Sequence, residues 1–329
     1  MDRLKFLGKE IRSFNIEATN WCYLKCSACD RTIRKDHVKK RNDLDISIFK
    51  KLANYDLIHE ISFNFCGIYG DNLYHPEIID IFKILKSKGS RVTLETNGSY
   101  RDDDFWKELL NTLDEGDIIN FSIDGLEDTN KIYRKGSSWK HIYKALKMAG
   151  KSKVKADWKF IVFKHNQHQI KEARELAEKL GVNFYLRYSG RFLENDSLLP
   201  DPEFIGLQQK HRTFVENAYK NNTVDNNVSI LPRCIDGKNI GITNEGLVLP
   251  CLTFHSIKNE WMEENREKIS LFNRDISDIL NDPLWEDLSN MWETPTKAPY
   301  ICSKYCGMPK TELNKFEPSR IKASDYNYD

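Results

Sequence analysis

The sequence predicts an α/β protein built as a partial (β/α)6 TIM-like barrel, followed by a small cysteine-rich α+β domain. Strand-like runs alternate with helical patterns from residue 14 to about 188, which is typical of parallel β/α units. After residue 230 the alternation stops, and four of the eight cysteines appear. We therefore expect a barrel domain at residues 1–200, a helical linker at 201–230, the cysteine-rich domain at 231–309 and a polar tail at 310–329.

The barrel prediction rests on six short runs that are rich in β-branched or aromatic residues and bounded by turn residues. The runs are Phe14–Thr19, Glu60–Phe65, Arg91–Glu95, Ile118–Ile123, Trp158–Phe163 and Phe184–Tyr188. Three of the helical patterns between them end at Gly89, Gly150 and Gly181, as expected because glycine readily terminates a helix. In β/α folds, reactive groups gather at the carboxyl ends of the strands.

The charge balance indicates neither a nucleic-acid partner nor a membrane partner. The chain of 329 residues has 50 basic and 49 acidic residues, a net charge of +1 and 40% apolar residues. No apolar run approaches the ~20 residues that span a bilayer, and the start of the chain lacks the apolar stretch of a secretory signal. We therefore expect a cytoplasmic protein, in which clustered cysteines indicate metal ligands before disulfides.

The first cysteine group follows the first predicted strand directly. Cys22, Cys26 and Cys29 have the spacing C-x3-C-x2-C. A compact loop of this kind can place three thiolates around one corner of a four-iron cluster, which leaves one iron without a protein ligand. An open iron can bind a substrate or cofactor. The alternatives are a zinc knuckle, for which zinc would need a fourth ligand, and a disulfide cluster.

This spacing resembles the signature of the radical S-adenosylmethionine (SAM) superfamily. The resemblance implies that the open iron of a [4Fe–4S] cluster chelates the amino and carboxylate groups of SAM. A reductant such as flavodoxin or ferredoxin supplies one electron, the C5′–S bond of SAM breaks, and the 5′-deoxyadenosyl radical abstracts hydrogen from a substrate. Ala28 stands where members of the family often have an aromatic residue close to the adenine.

Four further motifs resemble SAM-binding segments of the same family, over about residues 10–190. Each follows a predicted strand, so that a shared ligand could contact all of them. Asn97 and Gly98 could equally form a simple turn, and Arg134 could be a solvated surface residue. The implied SAM contacts are Gly70 and Asp71 in a variant of a glycine-rich acidic motif, Thr96 and Asn97 of Thr-Asn-Gly, Ser122 and Asp124, and Arg134.

The second cysteine group consists of Cys234, Cys251, Cys302 and Cys306, which are enough to close a second four-iron cluster. Cys251 follows a predicted hairpin whose strands, Ile240–Thr243 and Leu247–Leu249, flank a turn. Over about residues 231–309 the pattern resembles the twitch domain, a shortened relative of the SPASM domain that holds one auxiliary [4Fe–4S] cluster. With four protein ligands, redox relay is the implied role. Zinc bound by the same four thiolates is the alternative.

Cys66 ends the second predicted strand, close to the expected SAM site. It is a candidate catalytic thiol or hydrogen donor. The alternative interpretation is a small buried apolar side chain.

Together, these resemblances imply an enzyme that cleaves SAM and abstracts hydrogen from a substrate. A single auxiliary cluster favours oxidation or rearrangement of a small molecule that is sugar- or nucleoside-like. One alternative is a peptide-modifying enzyme that forms cross-links or thioethers or epimerises residues. The other is a non-catalytic iron–sulfur electron-transfer protein, which would need both cysteine groups but no SAM pocket.

Overall fold

The computed structural model describes residues 3–34, 38, 40–189, 196–205, 207–236, 238–257 and 259–315. Most of the predicted polar tail lies outside these residues. Within them, no helix is both long enough and apolar enough to cross a membrane.

An eight-stranded sheet forms the centre of the molecule, after a hairpin of β1 (Lys5–Phe6) and β2 (Lys9–Glu10). Six neighbouring strands, which reach one edge of the sheet, are parallel and follow chain order. All six coincide with runs predicted from the sequence, and the α/β partial-barrel prediction is confirmed. The six strands are β3 (Ser13–Ile16), β4 (Ser62–Phe65), β5 (Arg91–Thr96), β6 (Ile118–Ser122), β7 (Lys155–Ile161) and β8 (Asn183–Arg187).

Helices connect successive strands. Two of them begin at aspartates, Asp45 and Asp102, whose side chains accept a hydrogen bond from a free backbone N–H of the first turn. Another ends at Gly181, whose left-handed backbone (φ 74°) favours glycine. The helices are α1 (Asp30–Ile33), α2 (Ile46–Leu52), α3 (Ile78–Ser87), α4 (Asp103–Thr112), α5 (Asn130–Tyr133), α6 (Trp139–Ala149) and α7 (Ile170–Leu180).

The two faces of the sheet differ in chemistry because side chains alternate along each strand. The apolar face packs against the helices. Phe65 of β4 lies edge-on to Phe82 of α3, with ring centroids 4.8 Å apart, and the ring of Trp106 of α4 lies 5.6 Å from that of Phe121 of β6. The opposite face is polar and partly exposed, and it faces the interior of the partial barrel.

The carboxyl-terminal third of the chain adds two strands to this sheet. Strand β10 (Asn239–Ile242) pairs in parallel with β3, and β11 (Val248–Leu249) pairs with β10 as the predicted hairpin. A separate two-stranded sheet joins β9 (Val228–Ile230) to β12 (Gly307–Pro309). The remaining helices are α8 (Leu207–Lys220), α9 (Val224–Asn227), α10 (Glu260–Glu264), α11 (Ile276–Leu280), α12 (Leu284–Met291) and α13 (Tyr300–Cys306).

The pairing of β10 with β3 was not expected from the sequence, because residues 231–309 were predicted as a separate domain. Without β10, β3 would be an edge strand with unpaired backbone groups. Instead, the backbone N–H of Glu17 donates to the carbonyl of Ile242 at 2.9 Å, so the pairing continues to the point where the chain leaves β3.

Candidate active site

The first cysteine loop leaves the carboxyl end of β3 and packs as a small apolar cluster of its own. Cys26 is 8% exposed, and Cys22 and Cys29 are half-buried. The backbone N–H of Lys25 donates to the carbonyl of Lys135 at 2.9 Å, which holds the loop against the segment after α5. The apolar side chains around the cysteines are Leu24, Ala28, Tyr133, Phe163 and Leu198.

Two N–H groups point at the sulfur of Cys22. The backbone N–H of Leu24 lies 3.4 Å from this sulfur, and the side-chain amide of Asn97 lies 3.7 Å from it. Burial raises the pKa of the Cys22 thiol, and Asp71 and the other two cysteines add to this effect. Three thiols from one loop, N–H donors at a sulfur and an apolar surround fit a three-thiolate iron–sulfur cluster.

Asp71 joins the glycine-rich loop after β4 to the Thr-Asn-Gly turn after β5. One carboxylate oxygen accepts from the Thr96 hydroxyl at 3.0 Å, from the Asn97 backbone at 2.7 Å and from the Asn97 side-chain amide. The other oxygen accepts from the Leu73 backbone at 3.1 Å. Burial raises the pKa of Asp71 to about 6, and these hydrogen bonds oppose the rise. Both oxygens are thus occupied within the protein, and Asp71 orients Asn97 towards Cys22.

Gly70 lies against the backbone that leads into the cysteine loop. A Cβ atom at this position would lie 1.8 Å from the carbonyl oxygen of Thr19 and 3.0 Å from the carbonyl carbon of Asn20. Glycine is therefore needed here because any side chain would separate the two loops.

Substitution of Gly70 by alanine is expected to raise the Kd for SAM at least about tenfold, since the loops that carry Asp71 and Cys22 must move apart. Binding to the reconstituted protein, measured by equilibrium dialysis, checks this. The control is Gly116→Ala, because a Cβ there would meet nothing closer than 3.9 Å. An equal Kd for the two variants would show that the close approach at Gly70 is unimportant.

Two other residues predicted to contact SAM pair with each other. Asp124 is fully buried, and one carboxylate oxygen lies 2.7 Å from Nε of Arg134. Its other oxygen accepts from the backbone N–H of Ile161 at 2.8 Å. Arg134 is also close enough to Asp71 to lower the pKa of that carboxyl, against the larger effect of burial. Ser122 lies half-buried at the end of β6, on the polar face.

A buried contact between a carboxylate and an imidazole links the two cysteine-bearing parts of the chain. Glu17, which follows β3, is fully buried and lies 2.8 Å from Nε2 of His255, which follows Cys251 by four positions. The other oxygen of Glu17 accepts from the backbone N–H groups of Tyr69 and Gly70, at 2.6 and 3.1 Å. The Tyr69 hydroxyl donates to the His255 carbonyl at 2.9 Å. Glu17 therefore holds the glycine-rich loop close to the segment that follows Cys251.

The second cysteine group brings four thiols to one region. Cys302 and Cys306 lie four positions apart on α13 and so share a face of that helix. Burial raises the pKa of Cys234, and the charges of the other three thiols raise it further. Burial also raises the pKa of Cys251 to about 12. Within the described parts of the chain, no three His, Cys, Asp or Glu side chains form a group suited to a single metal ion.

The interior wall of the barrel carries a charged network that was not predicted as part of the site. Lys159 of β7 forms an ion pair with Glu95 of β5, and both are partly exposed, at 22% and 28%. The Asn120 amide donates to the same Glu95 oxygen at 2.9 Å. The alternation of polar residues within the predicted strands could have identified this wall, since every second side chain faces the interior.

Cys66 lies beside this wall, immediately after β4. Burial raises the pKa of its thiol to about 12; Glu95 and Glu17 raise it further, whereas Lys159 lowers it. The structure therefore groups Cys66 with the interior carboxylates and not with either set of clustered cysteines.

The chain is similar to a known protein family and to a curated relative. A family model described as the radical SAM superfamily matches residues 16–183, about half of the chain. A Pyrococcus furiosus protein named tungsten-containing aldehyde ferredoxin oxidoreductase cofactor-modifying protein is 26% identical over 180 residues, which are 52% of this chain and 49% of that protein. The chain thus matches about half the length of this curated relative.

Solved structures show the same fold at low sequence identity. Streptococcus suis SuiB bound to S-adenosylmethionine has a TM-score of 0.59 and 14% identity, with 85% of this chain and 68% of that chain covered. SuiB bound to the precursor peptide SuiA has a TM-score of 0.60 and 14% identity, with 96% and 76% covered.

Proposed function

Because the chain belongs to the radical SAM superfamily, we propose that Cys22, Cys26 and Cys29 hold its [4Fe–4S] cluster and that the surrounding strand ends bind SAM. Membership of the superfamily implies four components: this cluster, SAM, a reductant and a substrate. When bound, the cluster supplies the electron that cleaves SAM and generates the hydrogen-abstracting radical.

The observation that carries this proposal is the hydrogen-bonded chain from Asp71 through Asn97 to the sulfur of Cys22. It joins loops that follow three different strands, β3, β4 and β5. Loops that merely connect strands have no need for a shared buried carboxylate, whereas a common ligand at the carboxyl edge requires all three to keep one geometry. In this arrangement Asp71 is a positioning residue, and Gly70 allows the close approach of the loops.

The chemistry of the interior wall supports a polar substrate. Glu95, Lys159 and Asn120 offer a carboxylate, an ammonium group and an amide on neighbouring strands, and Arg187 of β8 lies near Glu95. Burying such groups against an apolar substrate would cost free energy, because their hydrogen bonds to water would be lost without replacement. A hydroxylated or charged small molecule, such as a sugar- or nucleoside-like compound, would instead form hydrogen bonds that replace those to water. Oxidation or rearrangement of such a molecule is the favoured outcome.

For the second cysteine group we propose one auxiliary [4Fe–4S] cluster held by Cys234, Cys251, Cys302 and Cys306. Four thiols would ligate every iron, so that the cluster would relay an electron and would not bind substrate directly. Zinc held by the same thiols is the alternative. Metal analysis distinguishes them, with about eight irons per chain for two clusters, or about four irons and one zinc.

The proposed function is tested by anaerobic incubation of the reconstituted protein with SAM and dithionite. We expect 5′-deoxyadenosine and methionine, and a faster rate when a true substrate is added. A panel of amino sugars, nucleosides and short peptides separates the substrate classes, with deuterated members used to follow transfer of deuterium into 5′-deoxyadenosine. Full loading with iron but no cleavage of SAM would contradict the proposed site. Deuterium transfer from a peptide alone would reassign the substrate class.

A further inference from the structure

The two carboxylate oxygens of Glu17 contact different parts of the chain. One oxygen accepts from the backbone N–H groups of Tyr69 and Gly70 in the glycine-rich loop, at 2.6 and 3.1 Å. The other lies 2.8 Å from Nε2 of His255. Within the described residues, neither this oxygen nor Nε2 has a hydrogen bond to any other group. The second oxygen therefore depends on His255, because a buried carboxylate without a partner is costly.

His255 also contacts the glycine-rich loop directly. The Tyr69 hydroxyl donates to the His255 carbonyl at 2.9 Å, and the two rings lie edge to face with centroids 5.2 Å apart. Tyr69 is 6% exposed, and Asp71 follows it by two positions. A shift of His255 would consequently move the backbone that places Asp71 against Asn97.

A single turn of 3₁₀-helix joins His255 to the second cysteine group. This turn, Leu252–His255, begins directly after Cys251, whose carbonyl accepts from the backbone N–H of Phe254 at 3.1 Å. The turn packs on β10, since a Cβ atom at Gly241 would lie 2.7 Å from the first backbone nitrogen of the turn. Cys251 and His255 are therefore held as one segment against the sheet that carries Glu17.

We propose that His255 is a positioning residue that couples the two cysteine groups. A metal site that includes Cys251 fixes His255, and His255, through Glu17, holds the glycine-rich loop in the geometry that binds SAM. Occupancy of the second group thus raises the affinity of the first site for SAM, and by linkage bound SAM raises the affinity of the second group for its metal. The inference rests on the proposed function in two respects, that SAM binds at the glycine-rich loop and that Cys251 is a metal ligand.

The test measures the Kd for SAM by equilibrium dialysis with the reconstituted protein, and iron and zinc are counted in every sample. In His255→Phe, which keeps a ring but removes the nitrogen that faces Glu17, we expect the Kd to rise at least about tenfold. His255→Gln supplies an amide donor instead and should bring the Kd back to within about threefold of the unaltered value. The matched control is His211→Phe, because His211 of α8 also lies 2.7 Å from a glutamate, Glu312.

A double-mutant cycle tests the coupling to the second group. Cys251→Ala is expected to raise the Kd for SAM about fivefold or more when His255 is present. In the His255→Phe background the same substitution should raise it no further, because the connecting contact is already lost. Cleavage of SAM with dithionite should be retained at saturating SAM, since the coupling acts on binding. Cys66→Ala is the control for loss of a buried thiol.

If His255→Phe fails to fold, Tyr69→Phe takes its place, since it removes a single hydroxyl and should raise the Kd about threefold. A Kd that changes no more in these variants than in His211→Phe would overturn the role of His255. An unchanged Kd in Cys251→Ala after loss of its metal, or an equal rise in both backgrounds, would overturn the coupling. An unaltered protein that binds no SAM with its first cluster fully loaded would instead count against the proposed function itself.

Discussion

Cys26→Ala is expected to lower 5′-deoxyadenosine formation at least about 100-fold, because the proposed cluster would lose one of its three thiolate ligands. Cys26 is buried beside Leu24 and Ala28, so that neither solvent nor a neighbouring acid can replace its sulfur. The iron content should fall by about four per chain, since only the first cysteine group is altered. Anaerobic reconstitution followed by iron analysis and product quantification measures both effects.

The matched control is Cys66→Ala, which also removes a buried thiol but one grouped with Glu95 and Lys159. This variant should retain about eight irons. If Cys26→Ala also kept its full iron content and cleaved SAM at the normal rate, the first cysteine loop would have been misassigned.

If the second cysteine group holds the proposed auxiliary cluster, Cys251→Ala should remove that cluster and leave the first, so that the iron content falls by about four per chain. The expected functional result is retained cleavage of SAM with dithionite but loss of substrate turnover, because the electron relay would be missing. Thermal stability should also fall, since a metal site that joins separate segments contributes to folding. Cys251 follows β11, whereas Cys302 and Cys306 belong to α13, so the site connects the central sheet to the final helix.

Iron analysis, product analysis and the midpoint of thermal unfolding measure these effects, again with Cys66→Ala as the control for iron. Loss of one zinc with no change in iron would assign the second group to zinc. If neither the iron content nor the zinc content changed, the second cysteine group would not be a metal site.

The strands of the barrel were predictable because each is a short local run with its own turn signals. The run at Arg91–Glu95 became β5 (Arg91–Thr96), and the run at Ile118–Ile123 became β6 (Ile118–Ser122). The pairing of β10 with β3 was not predictable, because it joins segments separated by more than 200 residues and no local pattern encodes the partner of a strand.

The spacing of the cysteines predicts which of them belong together, but sequence spacing does not predict the directions of the other polar side chains. Asp124 and Arg134 were each predicted to contact SAM, and the structure pairs them with each other. Asp71 was also predicted to contact SAM, and in the structure its oxygens accept hydrogen bonds from Thr96, Asn97 and Leu73. A one-residue difference in register or a single rotamer decides such directions, and sequence spacing contains neither.

The position of β10 beside β3 also determines how the protein can be divided. A fragment ending near residue 230 would keep all of the first cysteine loop but would expose the hydrogen-bonding edge of β3, the strand that leads into that loop. Exposed edges recruit other chains, so such a fragment would associate with copies of itself through β3. The roles of the two cysteine groups therefore have to be distinguished by point substitutions in the full chain, which keep the sheet intact, and not by expressing fragments.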